Sequence, residues 1–346
     1  MKAAVFAGPG QLELQDLPQP HAEAGELVLK VGANTVCGTD RRILRGEKSA
    51  GIDIGVVLGH EMSGHVVEVG EGVEGFTEGD LVGVLPTVPC GRCYFCQRDM
   101  ENICADPMIF GYRLNGGLAE YVRIPESALQ RGGVYRIEAD LSVFEVALAE
   151  PLGCVLNGAR QYRPWIGDTA VVIGGGPIGL LHTQVCREFG ATNVIVSDLS
   201  ASRLDFATQL GATHTVNPSE ADLREFVLDV TGGLGADIVV IAIGAPALLQ
   251  DGLSVARKGG HVNAFAGFSK TSMSTVDPNL IHYGELHVTG TSNAHRADHA
   301  LALDLIAAGK IDVKPLHTHT YPLSDVIEAI DFVASGEGVK VAVVPD

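Results

Sequence analysis

Residues 169–200 read TAVVIGGGPIGLLHTQVCREFGATNVIVSDLS. This stretch constrains the fold more than any other: a buried strand, a glycine turn, a helix and a second strand follow one another without interruption. Gly174, Gly176 and Gly179 form the pattern G-x-G-x-x-G, in which glycines permit a tight turn, close approach of a pyrophosphate, and packing of helix against strand. Pro177 and Ile178 open the helix and count with the glycines as candidate cofactor-binding positions. The second strand ends at Asp198, nineteen residues after Gly179. An acid there can accept hydrogen bonds from ribose hydroxyls and would repel a 2′-phosphate, which favours NAD over NADP. The competing reading is an ordinary glycine-rich turn with Asp198 as a helix cap. Arg203, one turn into the next helix, is either an adenosine contact or a solvated helix arginine. Ile178, Leu181, Val185 and Phe189 are expected on one apolar helical face, with Gly190 as its C-terminal cap.

The texture around this unit differs on either side. Up to about residue 150, GELVLKVGANTV, GHVVEVG and GDLVGVLP mix β-branched residues with Gly and Pro punctuation, as in an antiparallel, barrel-like domain. GADIVVIAIG and GGHVNAFAG are continuous apolar strands of the kind found in doubly covered parallel sheets. RADHALALDLIAAGKI and YPLSDVIEAIDFVASGEG read as helices, and the final KVAVVP as a strand that returns to the first domain. A chain of 346 residues exceeds the roughly 250–300 at which single cores stop growing, so two domains are expected. The boundary is expected inside a helix near residues 150–160. The architecture is therefore α/β: residues 1–154, completed by 291–346, form a barrel-type domain, and 155–290 a doubly wound parallel-sheet domain.

Charge and cysteine usage narrow the function classes. Twenty-four basic against 42 acidic residues give a formal net charge of -18, which repels phosphate backbones and anionic lipid; nucleic-acid and membrane partners are not expected. No apolar run reaches membrane length and the N-terminal apolar stretch is broken by Gly8, Pro9 and Gly10, so a soluble, cytoplasmic protein is expected. Seven cysteines, an odd number without an export signal, argue for metal-binding thiolates over disulfides. Cys90, Cys93, Cys96 and Cys104 have the spacing C-x2-C-x2-C-x7-C, which lets one loop wrap a tetrahedral zinc. Four protein ligands leave no open position, so that zinc is structural. A catalytic zinc needs an open position, and VLGHEMSGHVVEVG offers His60 and Glu61 downstream of Cys37. Each has an alternative: Cys37 as a small buried hydrophobe, His60 as a core imidazole, Glu61 as a surface acid.

CGTD, GHEMSGHVVEVGEGVEGFTEGD, the cysteine cluster, AEPLGC, VVIGGGPIGLL and VSDLSASRL, taken together and in this order, resemble the zinc-dependent medium-chain alcohol dehydrogenases, in particular the polyol (sorbitol) and threonine dehydrogenase branch. The resemblance covers essentially the whole chain. It implies a GroES-like catalytic domain, a Rossmann domain, two zinc ions per subunit, NAD, and a homodimer or homotetramer. Cys37 and His60 would be ligands of the catalytic zinc, and Glu61 a ligand or a close outer carboxylate. Glu150 stands where alcohol dehydrogenases have their second cysteine; Cys154, four residues on, is a rival. Thr39 matches the family's proton-relay hydroxyl, with a helix-capping role near Asp40 as the alternative.

Two departures accompany the resemblance. Relatives often carry a histidine at Arg42, and arginine stays protonated, so Arg42 is no relay base. It is instead an anion contact, an electrostatic support for an alkoxide, or a solvated side chain. In TGTSNAHRADH the alignment falls nearer Asn293 than Arg296, so no substrate role is carried over to that arginine. Phe110 and Tyr112 are open between substrate contact and barrel packing. The implied reaction is hydride transfer between NAD and a small polar secondary alcohol or ketone, with a polyol or sugar alcohol as substrate. An amino alcohol of the threonine type is the second reading, and a non-catalytic, zinc-stabilised dinucleotide-binding protein the third.

Overall fold

Strand Leu27–Thr35 is buried along most of its length, as its nearly continuous apolar composition dictates, and it organises the first structural unit. It pairs antiparallel with Glu61–Val69, with Tyr121–Ile124 and with Lys340–Val344 at the chain's end. Leu81–Val84 and Val134–Arg136 extend the sheet beyond Glu61–Val69, and His317–Pro322 lies beyond Lys340–Val344, giving seven strands. The last pairing is parallel, against the antiparallel expectation. Helix Val326–Ser335 connects those two strands, and such a crossover returns the chain in the same direction. Leu27, Leu29, Val31, Met62, Val66, Val82, Phe110 and Ile124 fill one core of this unit. A second core packs Val341 and Val343 with Phe6, Val36, Ile43, Leu58 and Tyr112.

The computed structural model describes residues 1–269 and 271–346. Their Cα positions divide into Met1–Gly153 with Asn293–Gly309 and Val313–Asp346, and Cys154–Ser292 with Lys310–Asp312. The division falls within the helix Ala149–Tyr162.

The second unit is a six-stranded parallel sheet ordered His214–Val216, Asn193–Ser197, Thr169–Ile173, Ala236–Ile241, Ala256–Ala264, His287–Gly290. This is the doubly wound order in which the chain reverses beside its first strand, and the glycine turn leaves that strand's carboxyl end at the reversal. The central strands are buried over both faces, which is why their sequences run apolar without alternation.

The helix Pro177–Glu188 departs from the amphipathic expectation. Every residue from Gly179 to Cys186 is buried, whereas Phe189 is its C-cap and is 41% exposed. Gly190 follows it with φ +102°. The outer face is covered within the same unit: the Tyr162 hydroxyl lies 2.9 Å from His182 Nδ1, the Phe265 ring meets the imidazole edge-on, and Gln184 donates to the carbonyl of Asp312. The segment from Pro177 to Cys186 carries no charged residue, so burial on all sides costs it no ion.

His182 is fully buried, and desolvation pushes its pKa down to about 3. Its contribution to stability is therefore fully present above the unfolded value near 6.5 and is lost as pH falls toward 3, because only the unfolded chain takes up the proton. The expected cost approaches about 1.4 kcal/mol per pH unit in that window. Denaturant titrations at several pH values should show a shallower acid dependence for His182→Gln; an unchanged slope would contradict this account.

Candidate active site

The cysteine lobe of the first unit follows the short strand Thr87–Val88, and two 3-10 turns shape it. Cys96 opens the turn Cys96–Arg98, and Cys104 caps the turn Glu101–Ile103. The four sulfurs lie within 4.8 Å of one another, and none of the seven cysteines is in a disulfide among the described residues. Cys93 Sγ and Cys104 Sγ are 3.9 Å apart, against about 3.8 Å for two sulfurs of a tetrahedron with Zn–S bonds near 2.3 Å. Backbone N–H groups of Ala105 and Cys96, each 3.5 Å from Cys93 Sγ, favour its thiolate and bring its pKa down to about 6. The donor set and its spacing fit zinc.

Arg296 and Asn293 secure this lobe. The Arg296 guanidinium donates to both oxygens of Glu101 at 2.9 Å and to the carbonyl of Arg131, while Asn293 donates to the carbonyl of Asn102. Both residues brace the turn that presents Cys104.

The second cluster forms around Leu27–Thr35 and its neighbours. Cys37, Glu61 and His60 bring a sulfur, a carboxylate oxygen and a ring nitrogen within 4.8 Å of one another. Cys37 precedes the helix Gly38–Leu44, and His60 and Glu61 stand at the start of Glu61–Val69. Glu150, in the first turn of Ala149–Tyr162, lies outside this tight group, although its charge reaches Lys340. Cys154 falls in the second unit.

Three residues missed by the sequence reading tie the cluster together. Asp40 is completely buried and accepts the backbone N–H of Cys37 at 2.9 Å. Its other oxygen lies 3.3 Å from His60 Nδ1, as an ion pair not aligned for a hydrogen bond. Burial is the largest single influence and works to lower the pKa of His60, but the Asp40 and Tyr112 charges together with polar side-chain contacts to Asp40 and Cys37 outweigh it and hold the imidazole well above its ordinary value. The helix therefore begins at Gly38 with Asp40 as its capping acid, which corrects the capping role considered for Thr39. Thr39 is half-buried in the first turn.

The other two residues hold Glu61. Lys340 Nζ lies 2.8 Å from Oε1 and 2.5 Å from Oε2 of Glu61, and the Thr35 hydroxyl donates to Oε2. Glu61 is 1% and Lys340 3% exposed, so this is a fully desolvated pair. Burial acts to lower the ammonium pKa, but Glu61 first and Cys37 next leave it raised. No motif marks Lys340 in the sequence, where it is one lysine before an apolar run. Of the two aromatic candidates, Phe110 is sealed in the barrel core, while Tyr112 sets its ring edge-on to His60 with centroids 5.8 Å apart.

In the second unit Gly174 has φ +112°. A Cβ on Gly179 would sit 1.7 Å from the carbonyl oxygen of Gly174, so only glycine lets the helix approach the strand this closely. Gly176 is the N-cap and Pro177 the first residue of the helix, and Ile178 and Gly179 lie in the turn whose N–H groups have no intrahelical acceptor. Asp198 does more than end a strand. Its two oxygens accept the N–H groups of Gly175 and Ser200, each at 2.8 Å. Arg203 Nη1 stands 3.7 Å from the same carboxylate.

Comparison with known proteins places this geometry in a family. The alcohol dehydrogenase GroES-like domain matches residues 23–132 and the zinc-binding dehydrogenase domain residues 177–308. The chain is 34% identical to L-threonine 3-dehydrogenase of Thermococcus kodakarensis over 96% of its length and 94% of that protein. It is 33% identical to sorbitol dehydrogenase of Halalkalibacterium halodurans over 100% and 99%. A crystal structure of a zinc-binding dehydrogenase from Sinorhizobium meliloti bound to NADP superposes with a TM-score of 0.94, at 32% identity and 99% coverage of both chains. With a GroES-like domain, a parallel nucleotide-type sheet and two thiolate-bearing clusters suited to zinc, the chain belongs to the zinc-dependent medium-chain alcohol dehydrogenase family.

Proposed function

We propose that this protein oxidises a secondary alcohol on a small polar substrate, a polyol or sugar alcohol, with NAD, and carries one catalytic and one structural zinc per chain. The observation that carries this reading is the convergence of Cys37, His60 and Glu61 within 4.8 Å, on a scaffold separate from the four-sulfur lobe. An amino alcohol is the second reading, favoured by the similarity to a threonine dehydrogenase. We place the protein in the cytoplasm as a homodimer or homotetramer.

Cys37 and His60 would hold the catalytic ion, with Glu61 or Glu150 as the oxygen donor. When bound, the ion supplies Lewis acidity that lowers the pKa of a substrate hydroxyl. Asp40 faces Nδ1 of His60 and so leaves Nε2 as the donor, the arrangement in which a carboxylate orients a metal-binding imidazole. The Thr39 hydroxyl accepts the proton of the substrate hydroxyl and passes it outward. Arg42 is a permanent cation and takes no proton on that route. Lys340 offsets the charge that Glu61 brings to a buried site already holding a thiolate. Cys90, Cys93, Cys96 and Cys104 would hold the structural ion.

The pyrophosphate would sit on the turn formed by Gly174, Gly176, Pro177, Ile178 and Gly179, where the helix start favours anions. Asp198 would meet the adenosine ribose, with Arg203 beside it. The similar S. meliloti chain binds NADP, so the preference for NAD rests here on the Asp198 carboxylate.

NAD reduction over a polyol panel should be abolished by chelation and restored by zinc; activity surviving removal of the metal would refute the reading. Cys37→Ser should lower the zinc content from about two to about one per chain and cut kcat/KM at least about a hundredfold. Asp198→Ala should weaken both cofactors, since it also frees the Gly175 N–H, yet shift the NAD to NADP ratio toward NADP by about tenfold. Lys340→Met should cost the metal-free protein about 3–5 kcal/mol in denaturant titration, the penalty for leaving Glu61 buried and unpaired.

A further inference from the structure

Lys48 is a half-buried lysine four residues beyond the helix Gly38–Leu44. Its ammonium donates to the Tyr112 hydroxyl at 2.8 Å and lies 4.5 Å from the centre of that ring. Tyr112 is 8% exposed and is itself set edge-on to His60 at 5.8 Å. The two centroid distances bound the ammonium to within about 10 Å of the candidate zinc ligand. The loop around it is pinned by backbone bonds, from Lys48 N–H to the carbonyl of Arg42 and from Asp53 N–H to that of Tyr112. The cation is therefore held over a buried phenol beside the reaction centre.

Among the described residues its charge has no acidic counterpart in an ion pair. Glu47 and Asp53, the acids of this segment, are exposed, and among the described residues no carboxylate comes within 4.0 Å of Lys48. Arg41, Arg42 and Arg45 precede it in a chain whose formal net charge is -18, so residues 41–48 form a cationic island beside a site for a small alcohol. A half-buried ammonium whose side-chain hydrogen bond goes to a neutral phenol keeps the capacity to pair with an anion that a substrate brings. Two of its three protons remain after the bond to Tyr112, and the Tyr112 hydroxyl, which accepts that bond, keeps its own proton to donate.

We propose that Lys48, carried by Tyr112, binds an oxyanion at the far end of the substrate, so that the enzyme prefers a polyol bearing a carboxylate or a phosphate ester over the neutral polyol of the same skeleton. The proposal rests on the dehydrogenase reading above and adds the chemical class of the substrate. It leaves Phe110 in the core and gives the basic residues after Cys37 a use as a field that draws an anionic substrate to the site.

The test compares three compounds with one six-carbon skeleton, D-gluconate, sorbitol 6-phosphate and sorbitol, on the zinc-loaded enzyme. Turnover is read with NAD, and binding by thermal shift in the presence of NADH. The expected result is that gluconate or the phosphate ester exceeds sorbitol in kcat/KM. That ratio should fall about tenfold or more in Lys48→Met, as expected for a lost hydrogen bond to a charged group, and recover in Lys48→Arg. Which of the two anions gains identifies carboxylate or phosphate as the recognised group. A preference for sorbitol, or an anion-to-neutral ratio unchanged in Lys48→Met, would overturn the proposal and leave the dehydrogenase reading standing. Lys48-dependent binding of gluconate without turnover of any compound would do the reverse.

Discussion

The buried ion pair between Glu61 and Lys340 is the constraint around which the first unit is built. Its members are 279 positions apart in the chain and are almost sealed from solvent. Two charges taken out of water are tolerated only when each satisfies the other and neighbouring donors finish the shell. Thr35 does so for Glu61, from the strand that lies between those of the two charges. Three strands, including the last of the chain, are thereby held in one register beside Cys37 and His60. A buried lysine is poor evidence of stability taken alone. Here it makes sense as the counter-charge for a pocket of anionic donors.

The neighbouring device is Asp40, which serves the backbone and the site with one carboxylate. One oxygen caps the helix through the N–H of Cys37, and the other faces the His60 ring. The position of the thiol and the orientation of the imidazole therefore share a single cause. The cysteine lobe is managed differently. Its sulfurs accept backbone N–H groups of its own loop, while Arg296 and Asn293 brace it from 190 or more residues away. Asp198 repeats the double use in the second unit, where it holds the glycine turn by the Gly175 N–H as it presents a carboxylate at the end of its strand.

Much of the fold was readable from local pattern. The strand, glycine turn, helix and strand of residues 169–198 follow from hydrophobic runs and from positions that only glycine can occupy. The four-cysteine loop follows from short spacing, since close intervals limit what a chain can do with its thiols. Cys37, His60 and Glu61 could be named once the motifs around them were taken together, and the structure brings their donor atoms close. The failures have physical reasons as well. Phe189 fitted a helical face by periodicity, but the helix is buried all round only from Gly179 to Cys186 and ends before that residue. Lys340, Thr35 and Asp40 carry no local signal, because their roles consist of partners that sequence distance conceals. No substrate role was carried over to Arg296, and its clamp on Glu101 was not visible in the sequence.

What the sequence by itself determined was the set of elements, the two thiolate clusters and the nucleotide-type turn, all encoded within windows of some thirty residues by periodicity, spacing and glycine. What only the tertiary structure decided was which charges meet. The pairing of Glu61 with Lys340, the double hold of Asp40, and the placement of Lys48 over Tyr112 beside His60 arise when remote strands and loops are brought together and water is excluded. In that dry setting a single charge gains or costs several kcal/mol, so the surroundings of each ligand are set by neighbours that its own segment of sequence does not contain.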